Sequence, residues 1–376
     1  MTGLDTFWSS WHFQNLLIAV LVAVMFFIFR KLRTREYWRS AFTRVFERRM
    51  IRICFGILCV YTLIALLDSI GFHPVLRDDA GEPLRHSETK RIIRDPDGLS
   101  VLDWMLTGLR DSREQSYSAP FATHLLSKEM MLNEDGEIVN EKPALQHPRR
   151  HILGTDRVGN DVLYLSLKGV RTGMIIGAFT TLLVIPFAVF FGVIAGYFGG
   201  WIDDVVQYIY SVLSSIPAFL LIVAFISVYG RGLFQLCLIM GITSWTGLCR
   251  VLRGETLKLR ESDFVQASEA MGVSRYKIML KHLIPNIMHI VLITAVLSFS
   301  GRVLAEAVLS YLGVGVGADT ISWGVMINDA RQELARSPII WWKLFAAFIF
   351  MLGLVLPANL FGDAVRDALD PKLRTQ

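Results

Sequence analysis

The chain is 376 residues long, with 53% hydrophobic and 19% charged residues and a formal net charge of +5. Soluble domains carry roughly a quarter charged residues, and a mean hydropathy of +0.45 excludes an ordinary water-soluble globular protein. The apolar residues fall in blocks long enough to cross a bilayer, which takes roughly 20 residues as a helix; the composition defines an all-α, polytopic membrane protein.

The pattern predicts seven spans, at about 13–29, 53–70, 172–197, 204–228, 233–249, 287–310 and 341–361. The first has a short apolar core, LLIAVLVAVMFFIF, with Trp8, Trp11 and Phe13 as interfacial anchors. It does not read as a signal peptide, because no positive region precedes it and no small-residue cleavage site follows it. Between the first two spans lie Arg30, Lys31, Arg33, Arg35, Arg39, Arg44, Arg48, Arg49 and Arg52, against only Glu36 and Glu47. The positive-inside rule makes that loop cytoplasmic, the N-terminus external and the C-terminus cytoplasmic. The loop 250–286, with Arg250, Arg253, Lys258, Arg260, Arg275, Lys277 and Lys281, falls inside on the same count. The isoelectric point near 9.0 is therefore a matter of topology, and nucleic acid is not expected as a partner.

The loop 71–171 falls outside and is long enough for a small lobe. LNEDGEIVN (132–140) predicts two short strands around an Asp135-Gly136 turn, and VLDWMLTGL (101–109) a short amphipathic segment. HPRRH (147–151) has two histidines with no acidic or cysteine neighbour in sequence, which reads as a solvated loop rather than a metal site. No Gly-x-Ser-x-Gly or His-Glu-x-x-His occurs, and nothing suggests an enzyme. Cys54, Cys59, Cys237 and Cys249 lie within or at the ends of spans, so they read as small buried hydrophobes rather than a disulfide framework.

Within the spans, Gly192, Gly196 and Gly200 recur every four residues, and Gly173 and Gly177 share that spacing. Glycines on one helix face permit close helix–helix approach, so they predict a packing seam. Pro186, Pro217 and Pro357 each remove a backbone hydrogen bond and predict kinks. Arg302 and Glu306, four apart in the sixth span, share a face; either they neutralise each other or they line a pathway near its outer gate. LGVGVGAD (312–319) lacks the Gly-Lys-Ser/Thr ending of a phosphate loop, so no nucleotide site is expected in this chain.

The segment FVQASEAMGVSRYKIMLKHLIPN (264–286) lies between two spans. Asp263 and Gln266 have the spacing of a capping box, Gly272 suits a helix C-terminus, and Ser274 can cap a second helix ending before Pro285. Physics alone leaves two readings open, a connector lying on lipid headgroups and a helix–elbow–helix presented to a partner.

Resemblance separates them. Gln266-Ala267-Ser268, Gly272 and Ile284-Pro285-Asn286 are similar to the cytoplasmic coupling motif of ABC importer permeases, a Glu-Ala-Ala triplet followed by Gly and later Leu-Pro. Glutamine stands at 266 where glutamate is usual. LGTDRVGNDVLYLSLKGVRTG (153–173, with Asn160 where Arg is usual), AGYFGGWIDD (195–204), EAVLSYLGVGVG (306–317), ISWGVMINDA (321–330) and FGDAVRDALDPKL (361–373) resemble, in the same order, the C-type membrane subunit of the dipeptide, oligopeptide and nickel class.

The resemblance covers about 150–376 and, weakly, 53–70. It implies a type I permease core at 172–376 with its coupling loop at 250–286, a first core span at 53–70, an extracytoplasmic (periplasmic) lobe at 71–171, and an added N-terminal span with a basic loop at 1–52. It also implies a bacterial inner-membrane location and a set of partners. These are a homologous second permease subunit, two ABC ATPase subunits carrying ATP-Mg, and an external peptide-binding protein; no cofactor is expected in this chain. Gln266, Ala267, Ser268, Ala270, Gly272, Arg275 and Pro285 would form the ATPase-coupling element, with Ala267, Ser268 and Ala270 in a groove of the partner and Gly272 as the elbow. Nickel chelates or peptide antibiotics are the alternative cargo, and a structural or sensory membrane protein the alternative class.

Overall fold

A computed structural model describes residues 15, 19, 30, 43–75, 82–84, 98–132, 138–317 and 319–369. The span expected at 13–29 and the Asp135-Gly136 turn lie outside this set, apart from the isolated helical residues 15 and 19. The elements, in chain order, are α1 (Arg49–Ser69), β1 (Gly71–Phe72), β2 (Leu99–Ser100), α2 (Val101–Met105), α3 (Thr107–Arg110), β3 (Glu129–Leu132), β4 (Ile138–Glu141) and α4 (Val162–Phe198). There follow α5 (Gly200–Ser215), α6 (Ala218–Tyr229), α7 (Leu233–Arg260), α8 (Asp263–Ala270), α9 (Arg275–Ile278), a π-turn (Met279–Leu283), α10 (Ile284–Tyr311), α11 (Trp323–Glu333) and α12 (Trp342–Leu369).

Among the described residues, five helices are long and apolar enough to cross a membrane, or six if the bent pair α5–α6 counts as one span. Helices dominate because lipid offers the backbone no hydrogen-bond partner, so each spanning segment must satisfy its own amides and carbonyls.

Three expectations about the spans are corrected. The single span at 204–228 is two helices meeting at 82°; Pro217 has no N–H to continue α5 and stands instead as the N-cap of α6. The third span begins at Val162 rather than near 172, because Asp161 accepts the amides of Leu163 (2.8 Å) and Tyr164 (3.1 Å) and starts the helix earlier. Helix propagation then carries it through Lys168 and Arg171 despite their charge. The break expected before Pro285 is absent, since α9 runs through the π-turn into α10. Pro186 and Pro357 do lie inside helices.

The chain divides into two compact units. One comprises 1–40, 59–171 and 329–350. In it β1 pairs antiparallel with β2, Gly71 opposite Ser100, and β3 with β4, Glu129 opposite Glu141. Its polar core is a closed network. Lys168 Nζ lies 2.7 Å from Asp68 Oδ1 and 2.9 Å from Asp103 Oδ1. Tyr164 donates to Asp103 at 2.7 Å, and Ser100 Oγ donates to Asp68 at 2.8 Å. Ser100 and Asp103 also form the capping box of α2. Burial opposes ionisation of Asp103, but the Ser100 amide, the Tyr164 hydroxyl and Lys168 together outweigh it and hold the carboxyl below its ordinary range.

The tract 147–151 is exposed at Pro148, Arg149 and Arg150, as a solvated loop would be, but it ends in a residue turned into the fold. His151 is buried, with Nδ1 2.8 Å from Asp161 and Nε2 3.5 Å from Glu114. The same Glu114 accepts the amides of Gln146 and His147. The acidic neighbours missing from the local sequence come from elsewhere in the fold. Nearby, Glu333 is 2% exposed beside Tyr117 and Lys343. Burial, with the negative charge of Glu333 next, pushes the Tyr117 hydroxyl up to about 12.

The other unit comprises 41–58, 172–328 and 351–376. One core joins α4, α5, α7, α8, α9 and the start of α10 through Val193, Tyr197, Tyr210, Trp245, Leu252, Val265, Ile278 and Ile287. A second joins α4, α6, α7 and the end of α10 through Ile176, Ile222, Leu236, Met240 and Leu309. The glycine seam is formed by α4 and α7. A Cβ on Gly192 would lie 2.9 Å from Leu252 Cβ, and one on Gly196 would lie 2.7 Å from Arg253 O. Gly200 is not part of it: it opens α5 at φ +54°, with nothing within 4 Å of a Cβ. Cys54, Cys237 and Cys249 are buried, whereas Cys59 is exposed.

Two outcomes follow. Gly196→Val should cost about 1–3 kcal/mol through overpacking, and Gly247→Ala, which meets nothing within 4 Å, should stay within about 0.5 kcal/mol; thermal unfolding in detergent measures both. Lys168→Met should destabilise by about 3–5 kcal/mol by stranding Asp68 and Asp103. Because the Asp103 carboxyl is depressed in the folded state, its contribution is present above the ordinary carboxylate range and disappears as pH falls through the folded value. Asp103→Asn should remove that acid-side component from a plot of unfolding temperature against pH.

Candidate functional site

The segment 261–286 stands on the second unit as helix, elbow and helix. Ser262, not Asp263, is the N-cap of α8, and no side chain caps it. The expected capping box is not made: Gln266 Nε2 donates to the Glu261 carbonyl at 3.1 Å instead. Ser274 does occupy the N-cap of α9, again without a side-chain bond.

The elbow is a Schellman closure. Gly272 N–H donates to Glu269 O (2.9 Å) and Val273 N–H to Ser268 O (3.1 Å). That geometry needs a left-handed residue, and Gly272 supplies it at φ +74°. Past the elbow, Ile284 N–H donates to Met279 O, five residues back. A proline ring crowds the carbonyl four residues before it, and the wider π-turn relieves that contact ahead of Pro285. Asn286 Nδ2 donates to His282 O at 2.8 Å, which satisfies a carbonyl of this widened turn. The Ile-Pro-Asn sequence is thus a continuous but adjusted entry into α10.

The two faces of the segment differ. Val265, Ser268, Ile278 and Leu283 turn inward and are buried. Gln266, Ala267, Ala270, Gly272, Arg275 and Pro285 turn outward and are exposed. Ser268, read from the sequence as a groove contact, belongs to the inner face. It is 6% exposed and its hydroxyl donates to Phe264 O at 2.7 Å, which leaves it no surface to offer. The outer face instead includes Phe264, Met271 and Tyr276, which are 41%, 75% and 68% exposed. Sequence reasoning gave these three no contact role, although apolar side chains projecting from a water-facing helix are themselves a signal.

Long-range polar contacts hold the surrounding helices. Arg253 on α7 donates through Nε and Nη2 to both oxygens of Asp203 on α5, Nη2 at 2.6 Å. Arg250 donates to Ser214 at 2.8 Å and lies 4.9 Å over the Tyr210 ring. Tyr197, near the end of α4, donates to Glu269 Oε1 at 2.6 Å. These pairs are separated by 36 to 72 residues, so no local pattern announced them.

Arg302 and Glu306 are buried in α10 at 8% and 2% exposure and do not neutralise each other. Arg302 Nη1 reaches Thr181 on α4 at 2.8 Å, and Glu306 accepts from Ser310 at 2.7 Å and from Ser322. Although they share a helix face, their side chains part toward different neighbours.

The architecture is that of a polytopic helical membrane protein with a two-sided, outwardly exposed helix–elbow–helix between two of its long helices. A family model for the inner membrane component of binding-protein-dependent transport systems matches residues 188–375. The chain is 36% identical over 224 residues to the oligopeptide transport system permease protein OppC of Bacillus subtilis, covering 60% of this chain and 72% of that protein. It is 34% identical over 224 residues to the dipeptide transport system permease protein DppC of the same organism, covering 60% and 69%. It is 31% identical over 241 residues to the glutathione transport system permease protein GsiD of Pectobacterium atrosepticum, covering 64% and 78%. The chain belongs to the family of binding-protein-dependent transport system inner membrane components.

The facing of α8 is directly measurable. In a Cys59→Ser background, Ala267→Cys and Ala270→Cys should react rapidly with a soluble maleimide on the detergent-purified chain. Ser268→Cys should react about tenfold or more slowly, as expected of a buried thiol.

Proposed function

We propose that this chain is a membrane-spanning permease subunit of an ATP-driven importer of dipeptides or oligopeptides, forming half of the translocation pathway. The observation that carries this reading is the exposed, glycine-elbowed segment 263–286 within the family-matched half of the chain. Its outer face offers small side chains, Ala267 and Ala270, between apolar anchors, Phe264, Met271 and Tyr276, with Arg275 and Lys277 beside them. A short helix of this shape fits a groove in a partner, reading out through apolar anchors at helical spacing. The relatives named for oligopeptides, dipeptides and glutathione support a peptide cargo.

In this proposal two ATPase subunits, which carry the ATP-Mg, take up one such segment each from this chain and from a homologous second permease subunit. A peptide-binding protein delivers cargo from outside. Closure of the ATPases draws the segments together and turns the pathway outward. The second helix of the element runs without a break into α10, so a displacement at the elbow reaches a membrane helix directly. In this reading the chain sits in the bacterial inner membrane with its N-terminus outside, and with 250–286 and the C-terminus in the cytoplasm; the clustering of Arg and Lys supports it.

Gly272→Arg should abolish peptide uptake while membrane insertion stays normal. A non-glycine residue at φ +74° is strained by about 1–2 kcal/mol, and the new side chain stands on the docking face. Uptake of a labelled tripeptide, together with co-purification of the ATPase subunits, is the measurement; normal uptake by this variant would refute the coupling role.

A further inference from the structure

Tyr197 is the second-last residue of α4 and is 4% exposed, although its hydroxyl is the atom that reaches the coupling segment. That hydroxyl donates to Glu269 Oε1 at 2.6 Å, the short distance of a hydrogen bond to a charged acceptor. The same residue's carbonyl accepts from Arg260 Nη1 at 3.4 Å, at the last residue of α7. The end of α4 therefore holds the coupling segment from both sides, where α7 enters it and where α8 leaves it. Glu269 is also the residue whose carbonyl receives the Gly272 amide, so the side-chain bond fastens the elbow itself.

We infer that Tyr197 is a positioning residue for coupling, its hydroxyl locking α8 to α4 through Glu269. The inference rests on the coupling role proposed for 263–286. Eight residues make α8 too short to be stable by its own helix propensity, so its placement depends on what it touches. Val265 and Ser268 press it against the core, but apolar contacts are non-directional and tolerate sliding. The side-chain bonds of Gln266 and Ser268 close within the segment, on Glu261 and Phe264. Among the described residues, the Tyr197–Glu269 bond is the side-chain hydrogen bond that joins α8 to a different membrane helix. Behind it, α4 is fixed against α7 at Gly192 and Gly196, so the anchor does not yield when α8 is pulled. Without the bond, α8 moves with the ATPase while α4 lags, and ATP is hydrolysed with less peptide carried.

The test uses the intact transporter in proteoliposomes, measuring peptide uptake and ATP hydrolysis together. Tyr197→Phe keeps the ring and removes only the hydroxyl. It should lower peptide carried per ATP by about tenfold, the scale of one lost hydrogen bond to a carboxylate, with ATPase subunits still co-purifying in full. Glu269→Ala should match it. Glu269→Gln, which keeps an acceptor oxygen, should recover most of the ratio, a rescue that a purely packing role would not show. The double variant Tyr197→Phe/Glu269→Ala should be no worse than either single change. A normal ratio in both single variants, or strictly additive losses in the double, overturns the lock. Gly272→Arg run in parallel separates the two ideas: if it too transports normally, the coupling role itself fails, whereas its loss beside a normal Tyr197→Phe rejects the lock alone.

Discussion

The approach of α4 to α7 is the contact on which the second unit depends. Lipid gives helices no hydrophobic reason to associate, so close packing of small surfaces must supply the attraction. Gly192 and Gly196 let the backbone of α7 reach α4 at Cys249, Leu252 and Arg253. Several polar contacts are then set by that distance. Arg253 is presented to Asp203, Arg250 to Ser214 and Tyr210, and Arg260 to the carbonyl of Tyr197. The last turn of α4 thereby holds the segment 261–286 through the carbonyl and hydroxyl of Tyr197.

Buried charge is handled differently in the two units. In the first, Lys168 meets two carboxylates, which also accept from the hydroxyls of Tyr164 and Ser100 and the Ser100 amide. His151 is hydrogen-bonded to Asp161 through Nδ1, with Glu114 3.5 Å from its other ring nitrogen. In the second unit, Arg302 donates to a threonine hydroxyl through Nη1 while its Nε has no partner, and Glu306 accepts from serine hydroxyls rather than from an opposite charge. Hydroxyls on packed helices cost little conformational entropy to order, and they tie α10 to its neighbours without needing a matched charge at the same depth.

The segment 261–286 joins two solutions to one geometric problem, a chain that must turn sharply and then continue into a long apolar helix. Gly272 makes the turn by adopting a conformation that other residues resist. Pro285 would be expected to end a helix, and here the preceding turn widens and Asn286 takes up a carbonyl. The result is a continuous helical connection from an exposed elbow to a long apolar helix.

The sequence by itself determined the class of the protein, the approximate sites of the described spans, the glycine elbow and the family, because these depend on local composition, on spacing along one helix and on ordered motifs. Tertiary structure alone decided which residues face which way and which meet. Asp263 and Gln266 had capping-box spacing, yet the cap fell one residue earlier; Gly200 had seam spacing, yet a turn at Gly199 placed it on the next helix. Ser268 looked like its small neighbours, but a helix of eight residues has an inner and an outer face, and only the core shows which is which. His151 lacked acidic neighbours in sequence and found them at 114 and 161. Tyr197 and Glu269 meet across 72 residues. Contacts of that range are set by the packing of whole helices, and periodicity within one segment carries no information about them.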